Sequence, residues 1–208
     1  MGGGHSHVIV IKHFGMHPSD DHQVTLISAG VDSAYSGMLP GLIAGHYDYG
    51  ETHIDLTRLC QWAGVRFIKA EVIGLDLERK QLSLAGRANV SYDIVSFDIG
   101  AEPDLISVDG ASDFAIPVKP ITKIWQRWTE LQDISLNPQR IAVVGGGAGS
   151  VELILAMVES FSGEDIRFDL YCGSSRLLPE YCRPLGASVL KTLARKGVTV
   201  HLDAWVDR

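Results

Sequence analysis

The sequence predicts an α/β fold of two units, each of which begins with a glycine-rich turn that leads into a helix. Residues 140–152 show this most clearly, because an uncharged apolar run precedes three consecutive glycines and a helical pattern. A second glycine run opens the chain at residues 2–7. Short apolar runs bounded by turn residues alternate with helical stripes, which is typical of helices packed on a mainly parallel sheet.

The second glycine turn, residues 145–150, has the order strand, turn, helix. Residues 141–144 carry no charge, which is typical of a strand buried on both faces of a parallel sheet. Gly145 permits the tight turn, and Gly147 lets the backbone approach a phosphate because it has no Cβ. The helix that follows directs its free N–H groups and its positive dipole end at that phosphate. Ser150 replaces the third glycine of a dinucleotide-binding turn.

The first glycine turn, residues 2–7, repeats this spacing. Gly2 and Gly4 take the first two glycine positions, and His7 takes the third. Two such turns predict two Rossmann-like dinucleotide-binding units, one for each of two nucleotides. No strand precedes Gly2 in the sequence. Either the leading strand lies outside it, or the match is accidental, as in a glycine-rich tag.

Composition limits the classes of function. The 208 residues allow one large domain or two small ones, and 46% hydrophobic residues can form a proper core. A net charge of −7 without a basic block argues against a nucleic-acid partner. No apolar run approaches the roughly 20 residues of a membrane-spanning helix, and no signal peptide is expected from the charges and apolar residues of the sequence. The three cysteines are typical of reduced thiols in a cytoplasmic protein.

Four segments follow the first glycine turn. Residues 8–14 carry apolar residues at helical spacing and predict a helix, although their β-branched composition also suits a strand. A strand over residues 24–28 ends on Ser28, where a dinucleotide site would have the acid that holds a ribose. Residues 35–41 have turn chemistry, and this loop either wraps a ligand or is only ordered structure. A helix around residues 54–60 ends at Gly64.

Short strands come next. Residues 65–68, 71–77 and 81–84 predict a small antiparallel excursion. Residues 92–100 predict a buried strand that ends in glycine, and residues 109–120 are expected to be irregular.

The second half begins with a predicted helix over residues 121–131. Trp125 and Trp128 lie three residues apart on it, which indicates packing in a core or an interface rather than chemistry. Asn137 and Pro138 break the chain just before the central strand. The elements expected after the second glycine turn are a strand over 166–170, a helical stripe over 185–193 capped by Gly197, and a strand over 198–202.

Five motifs occur in an order that resembles a known superfamily. They are GGGHSHV at the start, YSGMLPG at 35–41, YDIVSFDIG at 92–100, VKP at 118–120 and VVGGGAGSVE at 143–152. Together they resemble the flavin-dependent pyridine nucleotide-disulfide oxidoreductases over essentially the whole chain. The most similar branch is that of the type II NADH dehydrogenase-like proteins. Within it, the chain is most similar to the oxidoreductase domain often fused to selenide, water dikinase.

This resemblance implies an FAD-dependent oxidoreductase that takes a hydride from NADH or NADPH and passes electrons to a small-molecule acceptor. It implies an FAD-binding unit at residues 1–120 and an NAD(P)-binding unit, with a leading linker helix, at residues 121–208. A selenophosphate synthetase domain is an expected partner, and a homodimer is left open. The implied FAD contacts are Gly2, Gly4, His5, His7, Ser28, Tyr35, Ser36, Gly37, Ile99, Gly100 and Lys119. The implied nicotinamide dinucleotide contacts are Gly145, Gly147, Ser150 and Glu152.

Both predicted units are incomplete by comparison with the family. The strand before Gly2 and the C-terminal part that returns to the FAD unit are missing, so we expect a fragment. No acid follows the strand that ends near Leu170, which leaves NADH and NADPH both open. Arg176 either meets a 2′-phosphate or is an exposed loop residue.

Several alternatives remain open in the sequence. His5 and His7 fall short of the three or four ligands of a zinc site, so no metal is expected. Cys172 and Cys182 are either a redox pair or incidental thiols. Lys119 lies near the flavin or is solvated. No catalytic side chain is identified, because the cofactors carry the chemistry. The rival function is a nucleotide-binding regulatory module without turnover, which the missing ribose acids favour.

Overall fold

The computed structural model describes residues 1–101, 103, 105–132 and 140–207. This part of the protein is an α/β chain that divides into two compact units. The first contains residues 1–35 and 49–101, and the second contains residues 36–48 and the described residues from 103 onward. The sequence predicts a boundary at residue 120 between an FAD-binding and an NAD(P)-binding unit. The two compact units are defined by internal contacts instead of by cofactors, so this boundary stays a prediction. The predicted break at Asn137 and Pro138 lies outside the described residues.

The helices and strands are short, and they alternate along most of the chain. In chain order they are α1 (His5–Met16), β1 (Thr25–Ser28), β2 (Asp32–Ala34), α2 (Leu39–Ile43), β3 (His53–Asp55), α3 (Leu56–Ala63), β4 (Arg66–Lys69), β5 (Val72–Asp76), β6 (Gln81–Leu84), β7 (Val90–Ser91), α4 (Ala111–Phe114), α5 (Ile121–Gln132), β8 (Arg140–Val144), α6 (Ala148–Ser160), β9 (Arg167–Tyr171), α7 (Arg183–Arg195) and β10 (Val198–His201). Two 3₁₀ turns cover Ser36–Met38 and Tyr49–Thr52.

The first unit contains a parallel pair, β1 with β4, and two antiparallel groups. The predicted antiparallel excursion is confirmed for residues 71–77 and 81–84, because β5 and β6 form an antiparallel sheet with β7. Residues 65–68 do not belong to it, because β4 pairs in parallel with β1. The helix prediction after the first glycine turn is also confirmed. On α1, Val8 and Ile11 are buried, whereas Ile9 and Val10 face solvent. The burial of each β-branched residue therefore depends on the face of the helix on which it lies. The β propensity of these residues does not prevent the helix from forming.

Local contacts and backbone conformation determine where helix α3 begins and ends. The Asp55 carboxylate accepts hydrogen bonds from the main-chain N–H groups of Thr57 and Arg58, at 2.8 and 3.0 Å. These bonds satisfy two of the free donors at the start of the helix. The helix ends at Gly64, which has φ of +67°. Leu56 and Cys60 are fully buried and pack with α1 and β1 in the first core.

Two expectations for the first 100 residues are wrong. Residues 92–100 are not a buried strand, and Ile94 is 91% exposed. Their backbone pairs with the glycine run instead: the Asp98 N–H donates to the oxygen of Met1, and the Asp98 carbonyl oxygen accepts from the Gly4 N–H. Residues 35–41 are not a simple loop either. They contain a 3₁₀ turn and the start of α2, which forms because Leu39 and its neighbours on the same face are buried.

The second unit is built on a parallel sheet of three strands in the order β10–β9–β8. Val143 pairs with Leu170, and Leu170 pairs with Val200. The predicted helix α5 is confirmed, and so is the packing role of Trp128. That indole is 1% exposed and meets the Phe161 ring edge to face at 5.2 Å.

The sheet of the second unit differs from the expected one in its burial. Strand β8 is not buried on both faces: Val143 is buried, but Val144 is 62% exposed. On α7, Leu193 is fully buried, whereas Leu185 and Leu190 of the same predicted stripe are largely exposed. One face of this strand and part of this helix therefore lack cover from the described residues. Among the described helices, none is both long and apolar enough to cross a bilayer.

Candidate nucleotide-binding site

The second glycine turn joins β8 to α6, as the sequence predicts. Gly145 has φ of +128°, a conformation that L-residues rarely adopt, and its N–H donates to the oxygen of Tyr171 at 2.8 Å. A Cβ on Gly145 would lie 2.6 Å from the Ser150 hydroxyl oxygen. The first and third positions of the motif are therefore in contact, which explains why both residues are small.

The N-terminus of α6, at this turn, has free space beside its first glycines. Gly147 is the N-cap, and as a glycine it has no side chain with which to cap the helix. A Cβ on Gly147 or on Gly149 would meet no described atom within 4 Å. The first N–H groups of α6 have no partner within the helix, and they carry the positive end of the helix dipole. This donor set and this free space fit the phosphate of a nucleotide.

A cavity of about 700 Å³ adjoins the second glycine turn. Its walls come from the turn itself and from the segments that follow β9 and β10. Parallel strands place their carboxyl ends at one edge of a sheet, and ligands bind at that edge in open α/β sheets. Three residues of the wall, Glu180, Tyr181 and Trp205, were not anticipated from the sequence. Only the strand order could have indicated Trp205, which follows the end of β10.

The wall residues are held by main-chain bonds. Ala204 N–H donates to the oxygen of Cys172 at 3.0 Å, which fixes Trp205 beside Gly173. A Cβ on Gly173 would lie 2.9 Å from the Trp205 indole, so the ring contacts the glycine backbone. The indole is nevertheless 83% exposed. An aromatic surface is thus presented beside the cavity.

The first glycine turn joins an extended start to α1, and two of its glycines lie against Asp98. Gly2 has φ of +87°, and a Cβ there would lie 2.2 Å from the main-chain oxygen of Asp98. A Cβ on Gly4 would lie 2.2 Å from the Asp98 carboxylate. These glycines make room for Asp98. The implied contacts of Gly2 and Gly4 with the FAD pyrophosphate stay predictions.

Comparison with known proteins identifies the family. The family model described as pyridine nucleotide-disulphide oxidoreductase matches residues 1–208. The chain belongs to this family. The resemblance inferred from the motifs is thus confirmed at the level of the family.

Individual members of the oxidoreductase family match at low identity. Demethylphylloquinone reductase NdbB of Synechocystis sp. is 23% identical over 219 residues, which cover 99% of this chain and 53% of that protein. The structure of reduced Bacillus anthracis CoADR-RHD matches with a TM-score of 0.86, at 18% identity, over 99% of this chain and 38% of that one. NDH2 from Plasmodium falciparum in complex with NADH matches with a TM-score of 0.84, at 17% identity, over 95% of this chain and 46% of that one.

These matches establish the α/β fold of the FAD- and NAD(P)-binding oxidoreductases. The chain spans about half the length of the curated relative that it matches.

The two histidines of the first glycine turn have separate surroundings in this oxidoreductase chain. His7 is buried; its Nδ1–H donates to the oxygen of Gly2 at 2.7 Å, and its Nε2 accepts from the Ser96 hydroxyl at 2.9 Å. His5 is exposed, and its ring lies 4.6 Å from that of Tyr35. The described residues contain no cluster of three or more His, Cys, Asp or Glu that could hold a metal.

The other residues that the family resemblance implies as cofactor contacts lie in both units. In the first unit, Ser28 lies half-buried at the end of β1, Ile99 is exposed and Gly100 has φ of +73°. The second unit contains five more of these residues, of which Ser150 is half-buried. The remaining four are exposed: Ser36, Gly37, Lys119 and, on α6, Glu152. Their roles toward a cofactor stay predictions.

Arg176 and the cysteines of the second unit also have definite partners. The Arg176 guanidinium donates to the oxygen of Tyr181 at 3.0 Å and to that of Pro179, so it holds the loop after β9. Cys172 is buried beside the cavity, and its thiol contacts the oxygen of Arg176 at 3.6 Å. Cys182 is exposed, and neither cysteine is in a disulfide. These contacts agree with the alternative of a loop arginine and incidental thiols.

A cluster of polar side chains links the three strands of the same sheet. The buried Asp169 carboxylate accepts from Arg140 Nε at 2.7 Å and from His201 Nε2 at 2.6 Å. The hydrogen bond from Arg140, and then that from His201, lowers the pKa of Asp169 below its ordinary value. The same pairing raises the pKa of Arg140. Because the three residues come from β8, β9 and β10, the cluster links all three strands.

Proposed function

We propose that this chain is the two-nucleotide part of an FAD-dependent NAD(P)H oxidoreductase, built from two Rossmann-like units. In this proposal the second glycine turn holds the nicotinamide dinucleotide, and the first glycine turn faces FAD. The observation that carries the proposal is the start of α6, whose N-cap Gly147 has no side chain and which lies beside a cavity of about 700 Å³. The family of the chain and the NADH bound to its relative NDH2 support the same assignment.

The residues of the second glycine turn bind and orient in this proposal. Gly145 makes the turn, and Ser150 packs against it. Gly147 and Gly149 leave the phosphate a path to the first N–H groups of α6. Trp205 presents its exposed ring to a planar base. When bound, NAD(P)H supplies a hydride and the flavin accepts it, so the protein needs only to position the two cofactors.

We further favour NADH over NADPH, because of the charges at the cavity wall. The Glu180 side chain lines the cavity, where it suits ribose hydroxyls and repels a 2′-phosphate. Arg176, which would be the natural partner of that phosphate, already donates to two loop carbonyls. The acceptor we propose is a small molecule of the quinone class, on the ground that the relative NdbB is named a demethylphylloquinone reductase.

The association with a selenophosphate synthetase domain, the homodimer and the cytoplasmic location stay predictions.

The test is the colour of the purified protein in its full natural length, followed by anaerobic addition of NADH or NADPH. We expect a yellow protein whose visible flavin absorption is bleached faster by NADH than by NADPH. The rival function, a regulatory module without turnover, gains support from one observation: Asp98 occupies the start of α1. A colourless protein that binds NADH would favour this rival, and a yellow protein that neither cofactor bleaches would contradict the oxidoreductase.

A further inference from the structure

Asp98 lies at the N-terminal end of α1, where the dinucleotide-binding motif would direct a phosphate. Its carboxylate Oδ2 accepts a hydrogen bond from the main-chain N–H of His7 at 3.1 Å. His7 is the third residue of the helix, which follows Gly4 as N-cap. The carboxylate also lies against Gly4, since a Cβ on that glycine would be 2.2 Å from its oxygen. A negative charge of the chain itself therefore occupies this helix end.

The position of Asp98 is fixed by several independent contacts. Its N–H donates to the oxygen of Met1 at 2.9 Å, and its own oxygen accepts from Gly4 N–H at 3.1 Å. The buried His7 ring bonds to Gly2 and to the hydroxyl of Ser96, two residues before Asp98. The main chain on both sides of the glycine run is thus tied to the segment that carries the carboxylate.

The second glycine turn provides the contrast. A Cβ on its N-cap, Gly147, would meet no described atom within 4 Å, whereas a Cβ on Gly4 would meet the Asp98 carboxylate. The N-terminus of a helix attracts anions through its free N–H groups and its dipole, and one carboxylate satisfies part of that capacity. A second anion at the same end would meet a like charge at close range. The two turns therefore match the same motif but differ in how freely they can receive a phosphate.

We propose that Asp98 limits the affinity of the first glycine turn for FAD. Its carboxylate competes with the cofactor pyrophosphate for the start of α1, so a neutral side chain at this position binds the flavin more tightly. The inference rests on the proposed placement of FAD at the first glycine turn. It concerns a residue that reduces binding, and it does not involve the nicotinamide site.

The test compares Asp98→Asn with Asp93→Asn in flavin-free protein. Asn keeps an oxygen that can accept from His7 N–H, so the helix end stays capped while the charge is removed. Asp93 is an exposed residue of the same segment, and its replacement removes the same charge away from the helix end. We measure the Kd of FAD by flavin fluorescence, the Kd values of ADP and adenosine by calorimetry, and the melting temperature of each variant.

We expect Asp98→Asn to bind FAD and ADP at least about tenfold more tightly, a change of about 1.4 kcal/mol. Adenosine, which has no pyrophosphate, should bind all three proteins equally. Asp93→Asn should match the unmodified protein throughout. The proposal is overturned if Asp98→Asn binds FAD no more tightly, if Asp93→Asn gains as much, or if adenosine gains in parallel with ADP.

Failure of this inference can be told apart from failure of the proposed function. NADH binding at the second glycine turn is measured on the same variants and should not change with Asp98. If NADH binds and bleaches the flavin while Asp98→Asn leaves the Kd of FAD unchanged, only the role of Asp98 is wrong. If Asp98→Asn tightens FAD binding but NADH fails to bind, the assignment of the second glycine turn is wrong instead.

Discussion

Replacing Gly147 with alanine should separate nucleotide binding from folding. Gly147 has φ of −83° and ψ of 175°, which any L-residue adopts, and a Cβ there would meet no described atom within 4 Å. Alanine is a somewhat poorer N-cap than glycine, but it also reduces the entropy of the unfolded chain, and each effect is about 0.5–1 kcal/mol. These effects oppose each other, so the melting temperature should move by less than about 2 °C.

Binding should respond quite differently. The added methyl group would occupy the path of the phosphate to the start of α6. A hydrogen bond to a charged group contributes about 1.5–3 kcal/mol, so losing one should weaken NADH binding by about 10- to 100-fold. Calorimetric titration of NADH measures the loss, and Gly50→Ala is the matched control. A Cβ on Gly50 also meets nothing within 4 Å, but that residue lies in the other unit. An unchanged Kd in Gly147→Ala would refute the reasoning.

Three further predictions follow from contacts in the second unit. Asp169→Asn should cost about 2 kcal/mol in the free energy of unfolding, because charged hydrogen bonds are lost. Since folding lowers the pKa of Asp169, its contribution to the free energy of unfolding is present above the ordinary carboxyl pKa and is lost as the pH falls through the folded value. Denaturant titrations from pH 7 to pH 3 should therefore show the difference in free energy of unfolding between the unmodified protein and Asp169→Asn becoming smaller. Gly146→Ala would place a Cβ 2.2 Å from the Cys172 thiol and should cost about 2 kcal/mol. Adding Cys172→Ala should recover much of that loss in thermal melts, and additive losses would contradict the contact. Trp205→Ala should weaken NADH binding about tenfold, since stacking on a base contributes about 1–3 kcal/mol; Trp62→Ala, at an exposed tryptophan of the first unit, should leave the Kd unchanged, and equal effects would disprove the stacking role.

The sequence was informative where a local pattern determines the structure. The glycines at 145–147 interrupt an apolar run and precede a helical stripe, and both the turn and the helix are present. The helix at Val8 and Ile11 could be predicted over its β propensity because the two positions share one helical face. In both cases the deciding signal lies within a few residues of the element.

The sequence was less informative where distant residues decide the outcome. Residues 92–100 predict a buried strand, yet their backbone bonds to the start of the chain, and Asp98 meets His7 across 91 positions. Nothing in the local pattern of either segment indicates that pairing. Glu180 and Trp205 likewise line the cavity only because three parallel strands end at one edge. The two glycine turns could thus be located from the sequence, but the cavity walls at the second turn and the competing charge at the first could not.

Amide hydrogen exchange with and without NADH tests the central claim most directly. The claim is that the start of α6 and the adjoining cavity hold the nicotinamide dinucleotide. We predict that saturating NADH slows exchange at residues 145–150 and in the segments after β9 and β10, and leaves the start of α1 unchanged. Protection confined to residues 2–7, or no protection at 145–150 under saturating NADH, would contradict it.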